Sequence, residues 1–161
     1  MKIHIVLADA GLGDSTGKLN LLGAGWNMTQ VLPTGGTPDC AVAVFIEVPW
    51  DMCNRELDLT LELLDQDLTP VVVHTPSGDA PIRMAQQVVV ASAPGAPNGS
   101  DGQLALLVSL KGGLPLSPGN WYKWRAFIAG HEDTPGEAKF FVQRQPSTPT
   151  IGHSPMPRPG I

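Results

Sequence analysis

Along the segment "ELDLTLELLDQD", Leu57, Leu59, Leu61 and Leu63 alternate with Glu56, Asp58, Thr60 and Glu62. Successive side chains of a strand point to opposite faces, so a period of two predicts a strand with one apolar and one wet face. A helix would scatter these leucines around its circumference and bury the acids beside them, so the pattern outweighs leucine's modest strand propensity. The same reading predicts strands over 2–8, with Ile3, Ile5 and Leu7 inward, and over 40–48, with Val42, Val44 and Ile46 opposite Ala41, Ala43 and Phe45. Further strands are predicted over 18–23, 26–32, 56–64, 71–75, 82–92, 103–110, 121–129 and 139–144. In "WYKWRAFIAG", Trp124, Ala126 and Ile128 form the inward face and Trp121, Lys123, Arg125 and Phe127 the outward one. Segments 82–92 and 103–110 are continuous enough in apolar residues to be expected in the middle of a sheet.

Clusters rich in Gly, Pro, Asn and Asp bound these segments, among them "PTGGTPDC", "TPSGDAP", "APGAPNGSDG" and "HEDTPGEA". Turn signals at intervals of about 8–12 residues, with no long helical period between them, mark an all-β sandwich or barrel. The expectation is therefore an all-β sandwich over 1–144, Ig-like or C2-like, with about 8–10 strands in two sheets of about five. A turn around Pro49–Arg55 is the only predicted helical element. Residues 145–161 differ: "QPSTPTIGHSPMPRPGI" holds five prolines and little to bury. They are predicted to form an extended arm of polyproline-like stiffness.

Composition agrees with a single domain. The chain has 161 residues and 42% hydrophobic content, and its 18 glycines and 16 prolines are well above ordinary usage. Ten basic residues against fifteen acidic ones give a net charge of −5. No basic stripe of the kind a nucleic-acid binder displays is visible. No apolar run reaches membrane-helix length, and the apolar part of "MKIHIVLADAG" is too short for a secretory signal, so a soluble protein made in the cytoplasm is expected. The two cysteines, Cys40 and Cys53, are too few for a disulfide framework and are expected to be free, partly buried thiols.

Two catalytic signatures overlap in "GLGDSTGKLNLLGAGW", and neither holds. Gly13-Asp14-Ser15-Thr16-Gly17 fits G-x-S-x-G, but a serine elbow needs a helix after the nucleophile, and "TGKLNLLGAGWN" does not supply one. The "GDS" trio is similar to the first block of GDSL-type esterases, yet the G-x-N-D and D-x-x-H blocks that likeness requires are missing from the sequence. A phosphate-binding loop would need glycine where Leu12 stands and Ser or Thr where Leu19 stands. The glycines are better read as supplying positive φ in a turn, with Asp14 or Ser15 bonded to the local backbone and Lys18 opening the next strand. His4, His74, His131 and His153 are isolated, so neither metal nor cofactor is expected. Asp51, Glu56, Asp58, Glu62, Asp65 and Asp67 could hold calcium at a rim, but a solvated strand face, relieved by the Lys123 and Arg125 row of a neighbouring strand, is the simpler reading. Trp121 and Phe127 beside those charges have an interface composition, and a sugar-stacking platform is the alternative use of Trp121.

At "LADAGLGDSTGKLNLLGAGW" and "LPLSPGNWYKWRAFIAG" the chain resembles a group of small bacterial and phage β-sandwich proteins. The matching residues are Asp9, Gly17-Lys18-Leu19-Asn20-Leu21-Leu22-Gly23 and Gly119-Asn120-Trp121-Tyr122. The likeness covers most of residues 1–144, implies a compact β-domain and brings no catalytic residue. Together these readings predict a non-enzymatic docking protein, most concretely a phage capsid decoration protein on a viral lattice, assembled with other protein subunits as a homo- or hetero-oligomer. Its contacts would come from Trp121, Phe127 and the arm residues Ile151, Met156 and Ile161, with no membrane or nucleic-acid partner. The alternative is a soluble module that binds carbohydrate or calcium.

Overall fold

The computed structural model describes residues 1–76, 78–92 and 95–144. They fold as β1 (Lys2–Ala8), β2 (Ala10–Gly13), β3 (Leu19–Leu22), β4 (Met28–Gln30), β5 (Cys40–Val48) and β6 (Glu56–Leu64), followed by β7 (Val72–Thr75), β8 (Gly78–Pro81), β9 (Arg83–Val89), β10 (Gly102–Leu110), β11 (Asn120–Ile128) and β12 (Gly136–Gln143). The predicted helical element is one 3-10 turn, Trp50–Met52. The predicted arm, 145–161, lies outside the described residues.

The fold is the all-β sandwich the alternation predicts. One sheet has the order β1-β5-β10, all antiparallel; the other runs β4-β12-β11-β6-β9, antiparallel except for the β4–β12 pair. Their facing sides make the core: Leu57, Leu59, Leu61 and Leu63 of β6 and Tyr122, Trp124, Ala126 and Ile128 of β11 meet Ile3, Leu7, Val42, Val44 and Ile46. Removing one such leucine side chain from water stabilises the fold by about 1.5–3 kcal/mol, which is why strict alternation dictates which face turns inward.

Three expectations need correction. The sandwich sheets have three and five strands rather than two sets of about five, and the described residues hold twelve strands because two further hairpins, β2–β3 and β7–β8, stand apart from both sheets. β2 and β8 escape the alternation because each is four residues long and carries glycine. Strands β9 and β10 are edge strands, not central ones. The run of apolar residues in β10 has another cause: Leu104, Leu106 and Val108 pack on the core, while Leu107, on the opposite face, sits beneath the β2–β3 hairpin. Gly11 makes that contact possible, since a Cβ there would come within 2.8 Å of Leu107. The same cover buries Ala41 and Ala43 on the outer face of β5.

The serine-elbow segment is the turn of this hairpin. The Asp14 carboxylate accepts from the backbone N–H of Thr16 at 2.8 Å, the Thr16 hydroxyl at 2.6 Å and the Lys18 N–H at 3.0 Å, and Gly17 takes a φ of +80°. The Thr16 hydroxyl bond, ahead of the two backbone bonds, holds the Asp14 carboxyl below its usual pKa. A strand follows Ser15, not a helix.

Two local devices tie the ends together. The Tyr122 hydroxyl accepts from Ser117 N–H at 3.0 Å and donates to the Ser117 carbonyl at 3.3 Å, a tyrosine corner of the kind found in sandwich domains. Gly136, the first residue of β12, lets the second sheet approach β1: a Cβ there would lie 2.7 Å from the Ile3 carbonyl oxygen and 2.6 Å from its Cγ2. Gly136→Ala is expected to lower stability by about 1–3 kcal/mol through this overpacking, measured as a shift of the urea midpoint. Cys40 and Cys53 are both free. Burial, then the carboxylates of Asp39 and Asp9, push the Cys40 thiol up to about 11. Because the unfolded chain releases this proton at lower pH, stability is expected to hold below about pH 9 and to fall as the pH rises through about 11. Urea titrations of wild type and Cys40→Ser across that window check this; the variant should lose the alkaline decline assigned to this thiol.

Candidate functional site

The outer face of the five-stranded sheet gathers the outward residues of four strands into rows. Register pairs Arg125 with Glu137 on one side and Glu62 on the other, and Glu62 with Arg83 beyond it. The result is a row of alternating sign, Glu137–Arg125–Glu62–Arg83, across β12, β11, β6 and β9. The Arg125 guanidinium donates to a Glu62 carboxylate oxygen through Nε at 2.9 Å and through Nη2 at 2.5 Å. This is the Lys/Arg relief of the acidic row expected from the sequence, with one difference. Glu62 is not solvated: it is 7% exposed, as is Thr60. β6 lies between β11 and β9, whose long side chains cover its short outer groups, and Arg83 reaches across to the Thr60 hydroxyl at 3.4 Å. Lys123, the other expected partner of β6, instead pairs with Glu137 of β12 at 2.9 Å.

One end of this face is aromatic and cationic. Trp121, 40% exposed, leans on Phe141 with ring centroids 5.2 Å apart, and the Lys139 ammonium sits 4.7 Å from the Trp121 ring centre. Met28, the register partner of Phe141 on β4, extends the apolar strip and is exposed. A groove of about 290 Å³ runs beside Trp121, lined by Asp65, Gln66, Leu68, Lys123 and Lys139. Its far wall is the turn after β6, where Asp65 caps the Asp67 and Thr69 N–H groups at 2.9 Å each. Leu68, with a φ of +61°, is held exposed there. Cations held over exposed rings contribute about 0.5–1 kcal/mol each and keep the rings in place.

Phe127 lies on the same face, as expected, but away from the groove; it is half-buried, with the Arg125 guanidinium 5.4 Å from its ring centre. Ile151, Met156 and Ile161 lie outside the described residues. Sequence reasoning missed Phe141, Lys139, Met28 and Leu68. The signal for Phe141 was present in "AKFFVQ", since adjacent Phe140 and Phe141 on a strand must face opposite ways. Leu68 owes its place to a turn, which leaves no periodic trace.

The acidic residues considered for calcium do not converge: Glu62 is held by Arg125, and among the described residues no group of three or more His, Cys, Asp or Glu could hold a metal ion. No described helix is long and apolar enough to cross a membrane. Comparison with family models, characterised proteins and solved structures found no match, so the functional reading rests on this face's own chemistry.

Arg125→Met is expected to cost about 1–3 kcal/mol, because it strands the buried Glu62 carboxylate; the partly exposed guanidinium keeps the loss below that of a fully buried pair. Lys2→Met, which breaks the exposed Lys2–Glu47 pair of 3.0 Å, should cost under about 0.5 kcal/mol. Urea unfolding of the two variants side by side checks the contrast.

Proposed function

We propose that the protein is a non-enzymatic docking module that adheres to other protein subunits, most concretely as a virion accessory protein decorating a phage capsid. The observation that carries this reading is the strip of Met28, Phe141 and Trp121 on the five-stranded sheet, braced by Lys139 and flanked by the Lys123–Glu137 pair. An exposed tryptophan fixed by neighbours, ringed by charges that can pair across an interface, has the make-up of a binding hot spot. Strand β10 supports the same reading. Its nine residues carry no charge, and it pairs with β5 along only one edge among the described residues. An edge of that kind can accept a strand from a neighbour, with backbone hydrogen bonds supplying affinity. On a repeating lattice, several weak contacts of this sort add up to firm attachment.

The groove beside Trp121 favours a second reading, a carbohydrate-binding module, with the indole as stacking surface and Asp65, Gln66, Lys123 and Lys139 as hydroxyl partners.

The experiment is cosedimentation of the tagged chain with phage particles released from the host that encodes it. Wild type is expected to travel with the particles, and Trp121→Ala to bind at least about 30-fold more weakly, the loss of a strong hot spot. A wild-type chain left wholly in the supernatant, or a Trp121→Ala chain that sediments unchanged, contradicts the reading. Oligosaccharide competing Trp121 off the particle would favour the carbohydrate reading.

A further inference from the structure

At the end of the sandwich where β5 begins, a partly enclosed cavity of about 180 Å³ opens between the two sheets. That is far more than a single water needs. Buried Trp124 of β11 and Phe140 of β12 make its floor, Trp26 its side, and the exposed Asp9 and Asp39 stand at its mouth beside Cys40. Trp26 packs edge-on against Phe140, with centroids 5.8 Å apart and planes at 89°. The cavity lining includes Met28 of the Trp121 strip but neither Trp121 nor any residue of the serine-elbow turn, and the side chains that give it chemical character are not those of the docking proposal.

Three features give this cavity a chemical preference. First, the Trp26 indole N–H is buried and has no hydrogen-bond partner among the described residues. Buried donors are nearly always paired, and Trp26 lines the cavity, so an acceptor that reaches this N–H as the ring shifts would satisfy it. Second, the charge at the mouth is negative. Asp39 is partly offset, accepting from Gly112 N–H at 2.9 Å and standing 3.5 Å from the Lys111 ammonium, but Asp9 makes no ion pair among the described residues. The upward push that Asp39 and Asp9 give the Cys40 thiol reports the same field. Third, the Asp9 carboxylate is seated by design of the backbone: Gly23 has a φ of +59°, and a Cβ there would lie 1.9 Å from an Asp9 carboxylate oxygen. The loop that carries Gly23 is clipped to the end of β1 by Asp9 N–H to Leu22 O at 3.0 Å and Gly25 N–H to Leu7 O at 2.7 Å. A carboxylate, aromatic walls and one donor select a cation that also carries an acceptor.

We propose that this cavity binds a small ammonium compound bearing a hydroxyl group, of the amino-alcohol class, with its cation beside Asp9 and the aromatic walls and its oxygen accepting from the Trp26 indole N–H.

Choline is the probe, titrated into the full chain while the indole N–H resonances of the four tryptophans are followed by NMR. The Trp26 indole and the Asp9 amide are expected to move together and saturate, at concentrations up to roughly 50 mM for a millimolar site. Asp9→Asn, nearly the same shape, should weaken binding about tenfold, as should Trp26→Phe, which keeps the ring but removes the donor. The uncharged isostere 3,3-dimethylbutanol tests the cation on the wild-type protein and needs no variant to fold; it should bind about tenfold more weakly than choline. No movement of the Trp26 indole with choline, equal binding of the uncharged isostere, or preference for acetate would each overturn the proposal.

Discussion

The pairing of β6 with β11 is the constraint on which the rest of the structure depends. On one side of this pair, Leu59, Leu61 and Leu63 face Ile128, Ala126 and Trp124 across the strands and fill the centre of the core. On the other side the same register sets Arg125 against Glu62. A slip of one residue would send the leucines to water and the buried carboxylate into the core, so both faces reject it. Hydrophobic burial supplies most of the stabilisation, and the ion pair adds a second penalty against a shifted register. A buried charge contributes little when paired and costs much when misplaced.

What lies on the outer face follows from that register. Once β11 is fixed, β12 pairs with it so that Trp121 meets Phe141 and Lys123 meets Lys139, and β4 then brings Met28 beside Phe141. Two lysines opposite one another would repel, and each finds a separate outlet, Lys123 with Glu137 and Lys139 over the Trp121 ring. The proposed docking face is thus a consequence of sheet register, carried on strands rather than on loops. It is rigid before any partner arrives, which reduces the ordering cost of binding.

Much of this was legible in the chain itself. Alternation at Leu57–Leu63, at Ile3–Leu7 and along "WYKWRAFIAG" identified strands and their inward faces, because burial of one face is a local property of a strand. The Asp14 turn was legible for a similar reason, since its bonds run only to Thr16, Gly17 and Lys18, all within four residues. The centrality of β9 and β10 was misread because apolar runs record how many faces are covered, not which neighbours a strand pairs with; β10 is covered by a hairpin. Glu62 was read as wet because its burial comes from Arg125 and neighbouring strands 63 residues and more than 20 residues away in the chain. The cavity with Asp9, Trp26 and Cys40 was not visible at all. It is assembled from six separate segments, and no spacing along one segment encodes their meeting.

A double-mutant cycle on Glu62→Gln and Arg125→Met tests the pairing most directly. The account predicts a coupling of about 1–2 kcal/mol, with the double variant more stable than the sum of the single losses. Additivity within about 0.3 kcal/mol would mean that these two groups do not meet across β6 and β11, and the register that builds both the core and the outer aromatic strip would be wrong.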